Sequence, residues 1–149
     1  MDTENIISKL NWFYSLELNQ VDLYKSQSII FKDTYHSKVF KRIAAIEQQH
    51  VDNISEKIEL LGGTPTLLGD LIAPITGSLG GTIISLTGIE ETLKVNIALE
   101  QKAMKDYEDF IHHIKTENND MDLLNLLQSN YVDEDLHTAW FKDYLTKIK

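Results

Sequence analysis

The sequence contains no cysteine. Disulfides, thiolate nucleophiles, iron–sulfur clusters and cysteine-ligated zinc or iron sites are therefore excluded. Proline is nearly as scarce, with two residues among 149, and all seven glycines fall between Gly62 and Gly88. Turn residues confined in this way favour long helices over many short strands. Positive charge is also in short supply. Fourteen Lys and Arg face 23 Asp and Glu, a formal net charge of -9. Phosphate backbones are bound by clustered Lys and Arg, so nucleic acid is not an expected partner, whereas cations suit such a surface. The start, MDTENIISKL, lacks the basic region and apolar core of a secretory signal, and a cytoplasmic location is the default expectation.

What is present is an ordinary globular balance, 42% apolar and 25% charged, at a length that suits one domain over residues 1–149. Apolar residues recur at three- and four-residue steps. Ile6, Leu10, Phe13, Val21, Tyr24 and Phe31 mark a helix from 4 to about 36. Val39, Ile43, Ile54, Ile58 and Leu61 mark a second over about 37–61, closed by Gly62-Gly63 with Pro65 beyond. The stretch 66–90 is apolar, glycine-rich and broken by Pro74. A third helix is predicted over about 82–116, with Leu93, Ile97, Met104, Tyr107, Ile111 and Ile114. TENND, 116–120, is a short connector. A fourth helix spans about 121–148 on Leu124, Leu127, Tyr131, Phe141, Leu145 and Ile148. Connections that run short, long, short predict an all-α four-helix bundle with one long crossover between helices 2 and 3.

Each of these helices carries a glutamate inside its apolar stripe: Glu17, Glu47, Glu100 and Glu134. A buried carboxylate is costly unless paired or bound to metal. EQQH, 47–50, and EDLH, 134–137, add His50 and His137 three residues after a glutamate, on the same helix face. Four carboxylates and two imidazoles from four helices form the donor set of a di-iron or di-manganese site. No Lys or Arg falls on the inner stripes to neutralise them. The pairs Asp33/His36 and Asp109/His112 share the spacing but not the register. Asp109 lies nine residues past Glu100, about 13 Å along the axis and half a turn out of phase, so both pairs are read as solvated. Tyr24 and Tyr107 each follow a glutamate, Glu17 or Glu100, by seven residues. They point inward as candidates for hydrogen-bonded support of the ligands, with simple core packing as the alternative. Gln20 and Gln27 are read as a solvated face, with buried polar partners of the centre as the alternative. Trp12, Trp140 and the methionines are read as core or interface.

Beyond this pattern, ELNQVDLYKSQ, 17–27, resembles the first-helix motif of the demethoxyubiquinone hydroxylase family, with Tyr at plus seven and Gln at plus ten from the glutamate. The stretch from TPTLLGD to KAMKDY, 64–107, resembles that family's crossover and third helix. The resemblance places the chain in the ferritin-like di-iron superfamily. It implies two iron ions, with manganese as the alternative, held by Glu17, Glu47, His50, Glu100, Glu134 and His137. It also implies an oxidoreductase that activates dioxygen or peroxide near a membrane for a quinone precursor, with an electron donor of unknown identity. Asn19, Gln20 and Asp106 depart from the family pattern and are expected beside the centre, altering substrate room. The chain is also similar to rubrerythrin, but Ile97 stands where that family adds a glutamate. A ferroxidase or iron-handling protein without organic substrate is the alternative function. The segment 67–89 is read as a packed crossover or homodimer contact, with Gly77 and Gly81 permitting close approach. Peripheral membrane contact through it is the second reading.

Overall fold

A computed structural model describes residues 1–76, 88–117 and 120–149. These residues form five helices and no strands: α1 (Thr3–Ile30), α2 (Tyr35–Leu60), the short α3 (Ile72–Thr76), α4 (Ile89–Glu117) and α5 (Met121–Ile148). The four long helices pack as two hairpins, α1 on α2 and α4 on α5, brought face to face. The fold is the expected helical bundle. The proposed start of the third helix at 82–87 and the glycine pair Gly77/Gly81 lie outside the described residues.

One boundary differs from the sequence reading. The first helix ends at Ile30, not near 36, and the second begins at Tyr35. Asp33 takes a left-handed conformation, φ 66°, which Asp tolerates better than most side chains. Thr34 then caps α2 by accepting a hydrogen bond from the Ser37 amide at 3.2 Å. No Gly or Pro was needed to break the chain. At the far end Gly62 adopts φ 83°, and the Gly63 amide donates to the Ile58 carbonyl at 2.9 Å. This closes α2 as the glycine pair predicted.

The crossover leaves α2 and runs back along α1. Three α1 side chains spaced four residues apart hold its backbone. Asn11 accepts from the Thr66 amide at 2.6 Å, Ser15 from the Leu68 amide at 2.8 Å, and Asn19 from the Leu71 amide at 2.8 Å. Ser15 and Asn19 also donate to the carbonyls of Thr66 and Gly69. An extended segment with no sheet to join has its polar groups met by a row of side chains instead. Asp70 then caps α3 by accepting from the Ile72 amide at 2.9 Å.

Two apolar clusters flank the middle of the bundle. One gathers Leu10, Phe13, Ile54, Ile58, Phe110, Ile114 and Leu127. The other gathers Leu16, Leu23, Phe40, Ile43, Leu93, Leu99 and Phe141. Between them lies a polar layer. No described helix is long and apolar enough to cross a membrane.

Candidate metal centre

The polar layer brings together all six side chains singled out as metal ligands. Glu17 projects from α1, Glu47 and His50 from α2, Glu100 from α4, and Glu134 and His137 from α5. None is more than 5% exposed. Glu17, Glu47, His50 and Glu134 offer ligand atoms that all lie within 4.8 Å of one another, and Glu47, Glu100, Glu134 and His137 do the same. Glu47 and Glu134 belong to both groups. His50 Nδ1 lies 3.0 Å from Glu47, 3.3 Å from Glu134 and 3.4 Å from Glu17. His137 Nδ1 lies 3.2 Å from Glu47 and 3.8 Å from Glu100.

Only part of this proximity is pairing. His50 Nδ1 has hydrogen-bond geometry to Glu17, but both oxygens of Glu47 and Glu134, Oε2 of Glu100 and both ring nitrogens of His137 are buried without a hydrogen-bond partner among the described residues. A buried polar atom left so costs about 1–3 kcal/mol, and more when charged. Among the described residues no Lys or Arg pairs with any of the six. Four carboxylates and two neutral imidazoles carry a charge that two divalent cations balance. All donors are oxygen or imidazole nitrogen, which suits iron and manganese alike.

Without metal, protons supply the balance. Burial raises Glu17 to about 7, helped by the neighbouring Glu47 charge. Burial also pushes Glu134 well up, with the charges of Glu100, Glu47 and Glu17 adding to it. Burial opposes the charge of Glu47, but the closeness of His137 and His50 outweighs it and holds Glu47 down to about 2. The imidazoles respond in the opposite sense. Burial works against their charge, yet Glu17 and its neighbours raise His50 far above its ordinary value, and Glu100 and Glu47 raise His137 to about 10. A site that holds exchangeable protons in this way can trade them for cations.

The two tyrosines cross the bundle. Tyr24 on α1 donates to Glu100 on α4, and Tyr107 on α4 donates to Glu17 on α1. Burial and these carboxylates push both phenols well above their ordinary range. Asn130 donates to the Tyr107 hydroxyl at 3.1 Å, and Phe13 stacks on its ring at 4.1 Å. On the outer side of His50, Nε2 meets Asp133 at 3.0 Å. The sequence reading missed Asn130 and Asp133. Asn130 sits one turn before Glu134 on the same face, a signal that was available. Asp133 projects from α5 about 100° away, toward α2, and only the packed bundle reveals its partner.

Several expectations change. Gln20 and Gln27 are fully buried, not solvated. Gln27 turns toward α4, where it and Asn96 exchange two hydrogen bonds of 2.8 Å, whereas the Gln20 amide has no partner among the described residues. Asp106 does not face the centre. It accepts from Trp12 Nε1 at 3.2 Å and pairs with Lys102 at the surface. Asn19 is engaged by the crossover. Asp33, Asp109 and His112 are exposed and His36 is half-buried, all apart from the centre. An open cavity of about 460 Å³ lies between α1 and the crossover, lined by Asn19, Asp22, Leu23, Gly69 and Asp70 among others, and none of the six lines it.

Two overlapping donor sets that share Glu47 and Glu134, between two helical hairpins, define a bundle fitted for a di-iron or dimanganese centre. The chain belongs to the ferritin-like domain family, whose profile matches residues 7–149. It is also similar to a protein named "Probable manganese catalase" from Clostridium acetobutylicum, 29% identical over 155 residues. That match covers 89% of this chain and 65% of the relative, so the chain spans less than two thirds of the relative's length.

Proposed function

We propose that this chain is a dimetal oxidoreductase in which Glu17, Glu47, His50, Glu100, Glu134 and His137 hold two iron or manganese ions. The observation that carries the reading is the set of buried, mutually close donor atoms, of which those of Glu47, Glu134 and His137 have no hydrogen-bond partner among the described residues. Glu47 and Glu134, common to both donor sets, are the candidates to bridge the ions. Glu17 and Glu100 would each serve one. The bound metals would supply redox chemistry toward dioxygen or peroxide. The chain's own part is to fix the carboxylates through Tyr24 and Tyr107, to keep bulk water out, and to engage Nε2 of His50 with Asp133 so that Nδ1 faces the centre.

The near-complete burial of all six residues favours a reactant of the size of dioxygen or hydrogen peroxide. The name of the catalase relative points the same way. The demethoxyubiquinone hydroxylase resemblance instead implies a quinone-like substrate, which requires an apolar approach to the centre. A ferroxidase role is the second reading, favoured by the net charge of -9, which draws cations to the surface.

The test is metal content after anaerobic loading with Fe(II) or Mn(II), followed by exposure to air or peroxide. Two metals per chain are expected, with loss of both in Glu47→Gln/Glu134→Gln. A folded chain that takes up no metal overturns the proposal. Oxidant consumed far beyond the bound metal marks an enzyme, and consumption limited to the added iron marks iron handling. Hydroxylation of an added quinone precursor marks the third activity.

A further inference from the structure

The two hairpins repeat the same pattern. Glu17, Tyr24, Glu47 and His50 in the first correspond to Glu100, Tyr107, Glu134 and His137 in the second. Supports around the centre should therefore occur in matched pairs. The crossed tyrosines do. The others do not. His50 has its outer nitrogen on Asp133, the residue before Glu134. The corresponding position for His137 is the residue before Glu47, which is Ile46 and has no side-chain polar atom. His137 Nε2 is buried with no partner among the described residues. Tyr107 receives a hydrogen bond from Asn130, four residues before Glu134. The corresponding residue four before Glu47 is Ile43, packed in the apolar cluster around Tyr24. Both extra supports thus come from α5 and serve Glu17 and His50, while α2 offers isoleucines to Glu100 and His137.

We infer that the two metal positions are unequal. The Glu17–Glu47–His50–Glu134 position binds first and retains its ion. The Glu47–Glu100–Glu134–His137 position is the exchangeable one, where an ion enters and leaves. This rests on the dimetal reading above. The physical cause is orientation. With metal on Nδ1, the His50 Nε2–H donates to the Asp133 carboxylate, which fixes the ring and makes it a stronger donor. His137 has no such anchor and loses more freedom on binding. Asp133 is accordingly a positioning residue. It touches no metal, and it acts through His50.

Mn(II) titration of the full chain, followed by calorimetry and by the electron paramagnetic resonance of the bound ion, tests the inference. The expected result is two resolved steps of one metal each, with an uncoupled mononuclear signal at one equivalent. Asp133→Ala should weaken the first step about 10- to 100-fold and spare the second. Asp133→Asn keeps an acceptor and should recover part of the loss, which a merely structural effect would not predict. His137→Ala should retain one tight ion, and His50→Ala should not. Ile46→Asp should tighten the second step. Two indistinguishable affinities in the unaltered chain, or equal weakening of both steps by Asp133→Ala, would overturn the inference and leave the dimetal reading standing. No Mn(II) uptake at all by the unaltered, folded chain would overturn both.

Discussion

Tyr107 on α4 donates its hydroxyl to Glu17 on α1, and in doing so gives Asn130 on α5 an acceptor. Its counterpart Tyr24 serves Glu100 with no such third member. Replacement by phenylalanine should therefore be unequal. Tyr107→Phe strands the Asn130 amide as well as Glu17, and should destabilise the metal-free chain by about 2–3 kcal/mol. Tyr24→Phe should cost about 1 kcal/mol less. Urea unfolding of the two variants checks the order, and a larger loss for Tyr24→Phe would contradict it.

The metal-free chain should lose stability as pH rises. Glu17 holds its proton up to about 7 when folded, against an ordinary 4.5, so the folded state binds more protons across that window. Stability from this group is full below 4.5 and gone above 7. His137, raised from 6.5 to about 10, extends the decline through that window. Glu47, lowered to about 2, acts in the opposite sense and makes stability rise from pH 2 to 4.5. Denaturation across pH 4.5–10 should slope downward without metal and flatten when metal replaces the protons. Metal affinity itself should rise with pH, because binding releases those protons.

The row Asn11, Ser15 and Asn19 makes a prediction of local opening. Asn19→Ala removes the acceptor of the Leu71 amide and the donor to the Gly69 carbonyl. Faster hydrogen exchange is expected at Leu71 with little change at Thr66, which Asn11 holds. Ser15→Ala should act on Leu68 instead. Uniform acceleration along the crossover would show that the row does not hold it residue by residue.

At the end of α2, the two glycines should respond differently. A Cβ on Gly63 would meet Ile7 Cγ2 at 2.8 Å, a clash against a packed side chain. Gly63→Ala should cost about 1–3 kcal/mol through overpacking. Gly62 has open space but a positive φ, so Gly62→Ala should cost about 1–2 kcal/mol through backbone strain. Adding Ile7→Ala, which removes both Cγ2 and Cδ1, should offset part of the loss only in the Gly63 variant.

Helices and donor set were legible because both rest on periodicity. The apolar steps around Glu17 or Glu100 place those side chains inward whatever the neighbouring helices do. The features that escaped depend on contacts between distant segments. Gln20 and Gln27 read as solvent-facing because they fall beside the apolar stripe of α1, and nothing in α1 announces that Asn96 of α4 will meet Gln27 there. Asp133 reads as one more surface acid in an acidic chain until α5 is set against α2. Asp106 errs the other way. Its nearness to Tyr107 in sequence suggests the centre, yet one step around α4 turns it to Trp12 and the surface.

The crossed tyrosines carry a consequence for assembly. Each hairpin holds the phenol that donates to a carboxylate of the other, Tyr24 to Glu100 and Tyr107 to Glu17, and each supplies one of the two glutamates common to both donor groups. Neither half can complete a binding position from its own residues. Metal uptake is thus a conjunction of two docked halves, and a captured ion certifies that the chain has been put together correctly.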